Sequence, residues 1–105
     1  MKSRWFRSMN GRIFNEISVR NACEITAGFS PDEFPEEYEK WLTDTVLSLG
    51  YIKEITPDDQ TVHNAVLGGQ RAVATMMYRD IHQCSMAHAK GIVDAMDEMY
   101  NHPDY

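Results

Sequence analysis

The stretch Pro35-Glu36-Glu37-Tyr38-Glu39-Lys40-Trp41-Leu42-Thr43-Asp44-Thr45-Val46-Leu47-Ser48-Leu49 decides the fold class. Tyr38, Trp41, Leu42, Thr45, Val46 and Leu49 recur at the three- and four-residue spacing that lines one face of a helix. Glu36, Glu37 and Glu39 fall in the first turns, where the helix dipole favours negative charge, and Gly50 closes the pattern. Immediately upstream, Ser30-Pro31-Asp32-Glu33 combines a serine cap, a proline at the first helical position and a glutamate at the third, with Phe29 and Phe34 flanking it as a hydrophobic staple would. Pro35 lacks the amide that a continuous helix would use there. The spacing therefore predicts one short turn and then a main helix from Pro35 to Leu49.

Working outward, Ile13, Phe14, Ile17 and Ile25 predict a helix from about Met9 to Ala27, ended by Gly28. Tyr51 to Ile55 reads as a short extended connector, and Thr56-Pro57-Asp58-Asp59 repeats the start signal of residues 30 to 33. A third helix carries Val62, Ala65, Val66, Val73, Met76, Met77 and Ile81 on one face; the adjacent Gly68 and Gly69 within it predict a break, a kink or a close crossing. The last helix runs from Ser85 to about Tyr100 with Met86, Ala89, Val93, Met96 and Tyr100 inward, and Asn101-His102-Pro103 ends it. No segment alternates as a strand. The expectation is an all-α fold of about four helices, the last two joined by His82-Gln83-Cys84 into a short-turn hairpin. Residues 1–8 form a basic N-terminal arm and residues 9–105 a single α-helical domain.

With 105 residues, 43% of them hydrophobic, the chain is one small domain with enough apolar material for a core. Its net charge of −6 argues against general nucleic-acid binding, which needs a cationic footprint. That charge is unevenly spread. Residues 1 to 20 hold five basic side chains against Glu16 alone, +4, while the remaining 85 hold five basic and fifteen acidic, −10. The arm, with Lys2, Arg4, Trp5, Phe6 and Arg7, is suited to folding back on the acidic body or to reaching a neighbouring subunit, an acidic partner or a phosphate. Cys23 and Cys84 are far apart in the chain and suggest no disulfide framework, so a reducing cytoplasm is the expected location. No apolar run approaches the ~20 residues needed to span a bilayer.

The segment from Met77 to Asp94 resembles the helix-turn-helix in the C-terminal domain of the ribosomal protein L7/L12 family. That family's pattern is an Arg-Glu pair, a glycine-containing turn, a leucine, then Glu-Ala-Lys and Val-Glu or Val-Asp. Arg79-Asp80, Met86, Ala89-Lys90 and Val93-Asp94 fall on those positions, and Gln83 and Ser85 stand where the family has its turn glycines. The resemblance implies a stable hairpin; of the basic surface with which the family binds translation factors, only Arg79 and Lys90 are present.

No catalytic motif is found. Gly68-Gly69 is followed in register by no lysine or hydroxyl that would make a phosphate loop, and the acidic residues at helix starts need no catalytic explanation. His82, Cys84 and His88 lie within seven residues, at a spacing that matches no structural zinc pattern, so no metal or cofactor is assigned. The helix containing His88 and Lys90 carries Asp94, Asp97 and Glu98 where a DNA-recognition helix would carry bases. Five of seven methionines, Met76, Met77, Met86, Met96 and Met99, lie in the final hairpin, and methionine is over-used at adaptable surfaces. The expected function is a non-enzymatic protein-interaction module, an adaptor or inhibitor of the kind phages encode against host machinery, meeting a partner with a basic surface. The expected partner-binding residues are Trp5, Arg7, Met77, Arg79, Lys90, Ile92, Met99 and Tyr100. A self-assembling structural protein and a nucleic-acid binder acting through the basic arm are the alternatives.

Overall fold

A computed structural model describes residues 3–101. The order of elements is β1 (Trp5–Ser8), β2 (Ile13–Asn15), α1 (Glu16–Thr26), α2 (Pro35–Trp41, continued without a break by a π-helical segment, Leu42–Leu47), β3 (Ile52–Ile55), α3 (Asp59–Leu67), α4 (Arg71–His82) and α5 (Met86–Asn101). The fold is mostly helical, as expected, with a small sheet in addition. Contacts divide the chain into two compact units, Met1–Ile55 and Thr56–Tyr105. The boundary falls between Ile55 and Thr56 and not between residues 8 and 9.

In the N-terminal unit the expected basic arm is replaced by a strand. β1 is the middle strand of an antiparallel sheet ordered β2-β1-β3, with Phe6 opposite Phe14 and Glu54, and Trp5 opposite Asn15 and Ile55. The physical reason is the pair Trp5-Phe6: both side chains are buried, on opposite faces of the strand. The predicted helix from Met9 begins only at Glu16, because residues 9–12 form the turn between β1 and β2. Gly11 takes φ 85 there, its amide donates to Ser8 O at 3.0 Å, and Asn10 Oδ1 accepts from the Arg12 amide at 3.1 Å.

Phe6, Val19, Cys23, Tyr38, Leu42 and Val46 form the core of this unit, with Phe14, Phe29, Trp41 and Ile52 packed around them. The start of α2 is as the sequence predicts: Pro35 stands at its beginning after a turn over residues 31–33, and Phe29 meets Phe34 edge to face at 6.3 Å. From Leu42 the helix widens. The amides of Ser48 and Tyr51 donate to the carbonyls of Thr43 and Val46, each five residues back, at 3.1 Å. Thr43, Thr45 and Val46 are β-branched and fit regular helical rotamers less freely than straight chains.

The C-terminal unit is made of α3, α4 and α5. The glycine pair is a break: α3 ends at Leu67, Gly69 takes φ 79, and α4 starts at Arg71, so the helices among the described residues number five. Asp58 caps α3, accepting from the Thr61 amide at 2.8 Å, while Thr61 Oγ1 accepts from the Asp58 amide at 3.4 Å. The start signal of residues 56–59 is thus read through Asp58. α4 and α5 form the expected hairpin, with Gln83 in the left-handed region at φ 50 and the Ser85 hydroxyl accepting from the His88 amide at 3.1 Å. Ala74, Met77, Ala89 and Val93 are fully buried between the helices of this unit. The His102-Pro103 stop signal lies outside the described residues.

Candidate functional site

Two features of the N-terminal unit stand out beyond its core, an ionic hub around Glu16 and an apolar groove beside α1. Glu16 is the first residue of α1, where the helix N-terminus favours a carboxylate, and Asn15 caps the same turn by accepting from the Ile17 amide at 3.2 Å. The buried Glu16 carboxylate accepts from the Arg4 amide at 3.1 Å, from Arg4 Nη2 at 2.8 Å and from the Tyr38 hydroxyl at 2.8 Å. Arg4 also grips Glu39 with both terminal nitrogens, at 2.7 and 3.2 Å. Arg20 reaches Asp32 at 2.9 Å and lies over the Tyr38 ring, 5.1 Å from its centroid.

Burial drives the Glu16 carboxyl up, but the hydrogen bonds from Arg4 and Tyr38 outweigh it and hold the group down at about 2. Burial first, and then the hydrogen bond to Glu16, push the Tyr38 hydroxyl upward. The hydrogen bond to Glu16 does the same for the Arg4 guanidinium. All three groups stay in their ordinary charge states at neutral pH, so the hub ties β1, α1 and α2 together and offers no proton to exchange.

The groove runs between α1 and α2 with its π-helical extension and encloses about 450 Å³. Ser18, Ala22 and Thr26 form the α1 wall, Trp41 and Thr45 the opposite wall, and Phe14, Val19, Val46 and Ile52 lie at its base, with Tyr51 contributing an exposed ring. None of these residues is charged. The Thr26 hydroxyl is already committed, donating to Ala22 O at 2.6 Å. Beside the groove, Ile25 is 83% exposed. Helical periodicity places it about 60° around α1 from Ala22, at the rim.

The C-terminal unit has a wider and more polar depression, about 790 Å³, between α4 and α5, where Met76 and Met86 lie among Arg71, Lys90, Asp94 and Asp97. Those charges pair with one another: Lys90 with Asp94 at 2.7 Å, Arg71 with Asp97 at 3.4 Å.

The expected partner-binding residues are not gathered on one surface. Trp5 and Met77 are buried and are corrected to core residues: Trp5 because β1 is a strand, Met77 because α4 restarts after the glycine break with Ala74 and Met77 on its inner stripe. Met86, expected inward, is 42% exposed. Arg7 is half-buried on β1, directly across from Ile13 and Lys53. In the C-terminal unit Arg79 is half-buried beside Asp80, Lys90 and Met99 are exposed, Ile92 is half-buried, and Tyr100 packs on His63 at 4.6 Å. The residues that carry the hairpin resemblance lie on α4 and α5 on either side of Gln83.

Of the cationic arm, Lys2 lies outside the described residues, and Arg4 is occupied by carboxylates. His82 binds Asp59 at 2.7 Å and stacks on Tyr78 at 4.3 Å. Among the described residues no three His, Cys, Asp or Glu side chains are placed to hold a metal ion, and no helix is long and apolar enough to cross a membrane. Both cysteines are free; burial, and then the Glu24 charge, raise the Cys23 thiol and keep it protonated.

Glu16 and the groove residues Ser18, Ala22, Trp41 and Thr45 have no counterpart among the expected site residues. The groove joins two segments separated by more than a dozen residues, so no local pattern announces it. The signal for the sheet was present as Asn10-Gly11, a strong hairpin dipeptide, between the apolar pairs Trp5-Phe6 and Ile13-Phe14. No family model, curated protein or solved structure matches the chain.

Proposed function

We propose that the chain is a non-enzymatic protein-interaction module that docks apolar side chains in the groove between α1 and α2. One observation carries this reading: an open apolar groove with no charged lining, bordered by an isoleucine that is 83% exposed. A solvent-exposed apolar patch with a concave centre is where interfaces place their buried anchors. The groove takes over the role that the sequence assigned to the basic arm and the methionines, since Trp5 and Met77 belong to the core.

Affinity capture from a bacterial lysate with three baits tests it: wild type, Ser18→Trp, which fills the groove from an exposed position, and Lys90→Glu on the α4–α5 depression. Wild type and Lys90→Glu should retain the same bound protein and Ser18→Trp should lose it. Equal capture by Ser18→Trp, or loss with Lys90→Glu alone, overturns the assignment of the groove.

A further inference from the structure

We propose that Asn10 is a site of spontaneous covalent modification, converted to aspartate and isoaspartate by its own backbone, and that the β1–β2 turn controls when this happens. Asparagine is a thermolabile residue, and of the asparagines in this chain only Asn10 is followed by glycine. With no side chain on Gly11, its amide nitrogen is unshielded; a Cβ placed there would meet nothing within 4 Å. Asn10 and Gly11 are both exposed, so water reaches the reacting atoms. In the reaction the Gly11 nitrogen bonds to Asn10 Cγ, the bond from Cγ to Nδ2 breaks, and ammonia leaves with the proton given up by the Gly11 amide. Water then opens the cyclic imide on one side to aspartate and on the other to isoaspartate. No other co-reactant is needed. The leaving nitrogen, Nδ2, has no hydrogen-bond partner among the described residues.

The folded turn restrains both reacting groups. The Gly11 amide donates to Ser8 O at 3.0 Å, which occupies the nucleophile, and Asn10 Oδ1 accepts from the Arg12 amide at 3.1 Å and from the Ser8 hydroxyl, which fixes the carboxamide. Ring closure requires these bonds to be given up, so it proceeds through local opening of the turn. The step does not reverse. Isoaspartate carries the main chain through its side-chain carbon and lengthens the backbone between Met9 and Gly11, in a turn whose ends are tied by the Ser8 amide on Arg12 O at 2.9 Å. The strand displaced is β2, whose Phe14 stacks on Phe6 at 6.1 Å and lies at the base of the groove. The conversion is therefore a one-way step that disrupts the groove at a rate set by the turn. It holds independently of what the groove docks.

Peptide mapping by mass spectrometry of the full chain, held at mildly alkaline pH in buffer and in concentrated urea, follows the conversion. In urea Asn10 should convert before any other asparagine, and in the folded chain it should convert about tenfold more slowly or less. Ser8→Ala, which takes the hydroxyl from Asn10 Oδ1, should speed the conversion in buffer, leave the rate in urea unchanged and keep the wild-type tryptophan transition. The isoaspartate-containing fraction of an aged wild-type sample should lose that transition. Another asparagine converting first in urea overturns the site. Equal rates in buffer and urea, or a folded Ser8→Ala chain that converts no faster than wild type, overturn control by the turn. An isoaspartate-containing fraction that unfolds as the wild type does overturns the effect on the groove.

Discussion

The ionised Glu16 carboxylate is worth more to the N-terminal unit in the folded chain than in the unfolded one, because Arg4 and Tyr38 hold its pKa at about 2 against an ordinary 4.5. A carboxyl lowered on folding contributes stability that is fully present above 4.5 and is lost as the pH falls towards 2, and a difference of this size is worth about 3 kcal/mol at neutral pH. Both tryptophans, Trp5 and Trp41, lie in this unit, so their emission during urea unfolding reports it. Stability should fall across that acid range in the wild type. Glu16→Gln should be weaker at pH 7 by about 3 kcal/mol and fall less on acidification; the same acid limb in both proteins would contradict the role given to Glu16. Gln83 poses the opposite case, a residue at odds with its backbone. Its φ of 50 is left-handed, a conformation that costs a side-chain-bearing residue about 1 kcal/mol and glycine almost nothing. Gln83→Gly should therefore stabilise the α4–α5 hairpin by about 0.5 to 1 kcal/mol in chemical denaturation, a small net gain because glycine also loosens the unfolded chain.

At the scale of elements, β1 is where removal and substitution differ most from expectation. A detachable arm could be cut off with loss of charge alone. A middle strand cannot, because its loss leaves β2 and β3 without a partner and uncovers the core at Phe6. Deleting residues 1 to 8 should abolish the cooperative tryptophan transition of the N-terminal unit, and Phe6→Ala should cost about 3 to 5 kcal/mol; a truncated chain that melts as the wild type does would restore the arm. The helices were legible because their signals are local: Pro35 begins α2, Gly68-Gly69 divides α3 from α4, and Ser85 opens α5. Of the strands, only β3 was foreshadowed, as the extended connector at Tyr51 to Ile55; β1 and β2 were not. They are three or four residues long, and Trp5 and Phe6 are both buried, so β1 lacks the alternation of apolar and polar positions that marks a half-exposed strand. The widening of α2 after Trp41 turns Thr45 and Leu49 of the expected stripe outward and brings Leu47 against the core, a shift that a regular helical period does not foresee.

For the whole molecule, the contrast between a basic beginning and an acidic remainder dissolves in three dimensions. Arg4 and Arg20 spend their charge on Glu16, Glu39 and Asp32 within the same unit. Counted by unit, residues 3–55 hold six basic and nine acidic side chains, and residues 56–101 three and six, so each carries −3. The acidity is shared equally between the two units, while the groove lining carries none of it. The composition made the charge legible; only the fold shows where it is absent.

The pairing of Trp5 with Ile55 has a kinetic side. The β1–β2 hairpin and the three C-terminal helices close over short stretches of chain, whereas β3 reaches β1 only when α1 and α2 have been traversed. Loop closure of that span is an entropic toll on the transition state and not on the helices themselves. The N-terminal unit, with its core and its groove, should thus refold more slowly than the C-terminal helices, with tryptophan fluorescence lagging behind helical circular dichroism in a refolding experiment.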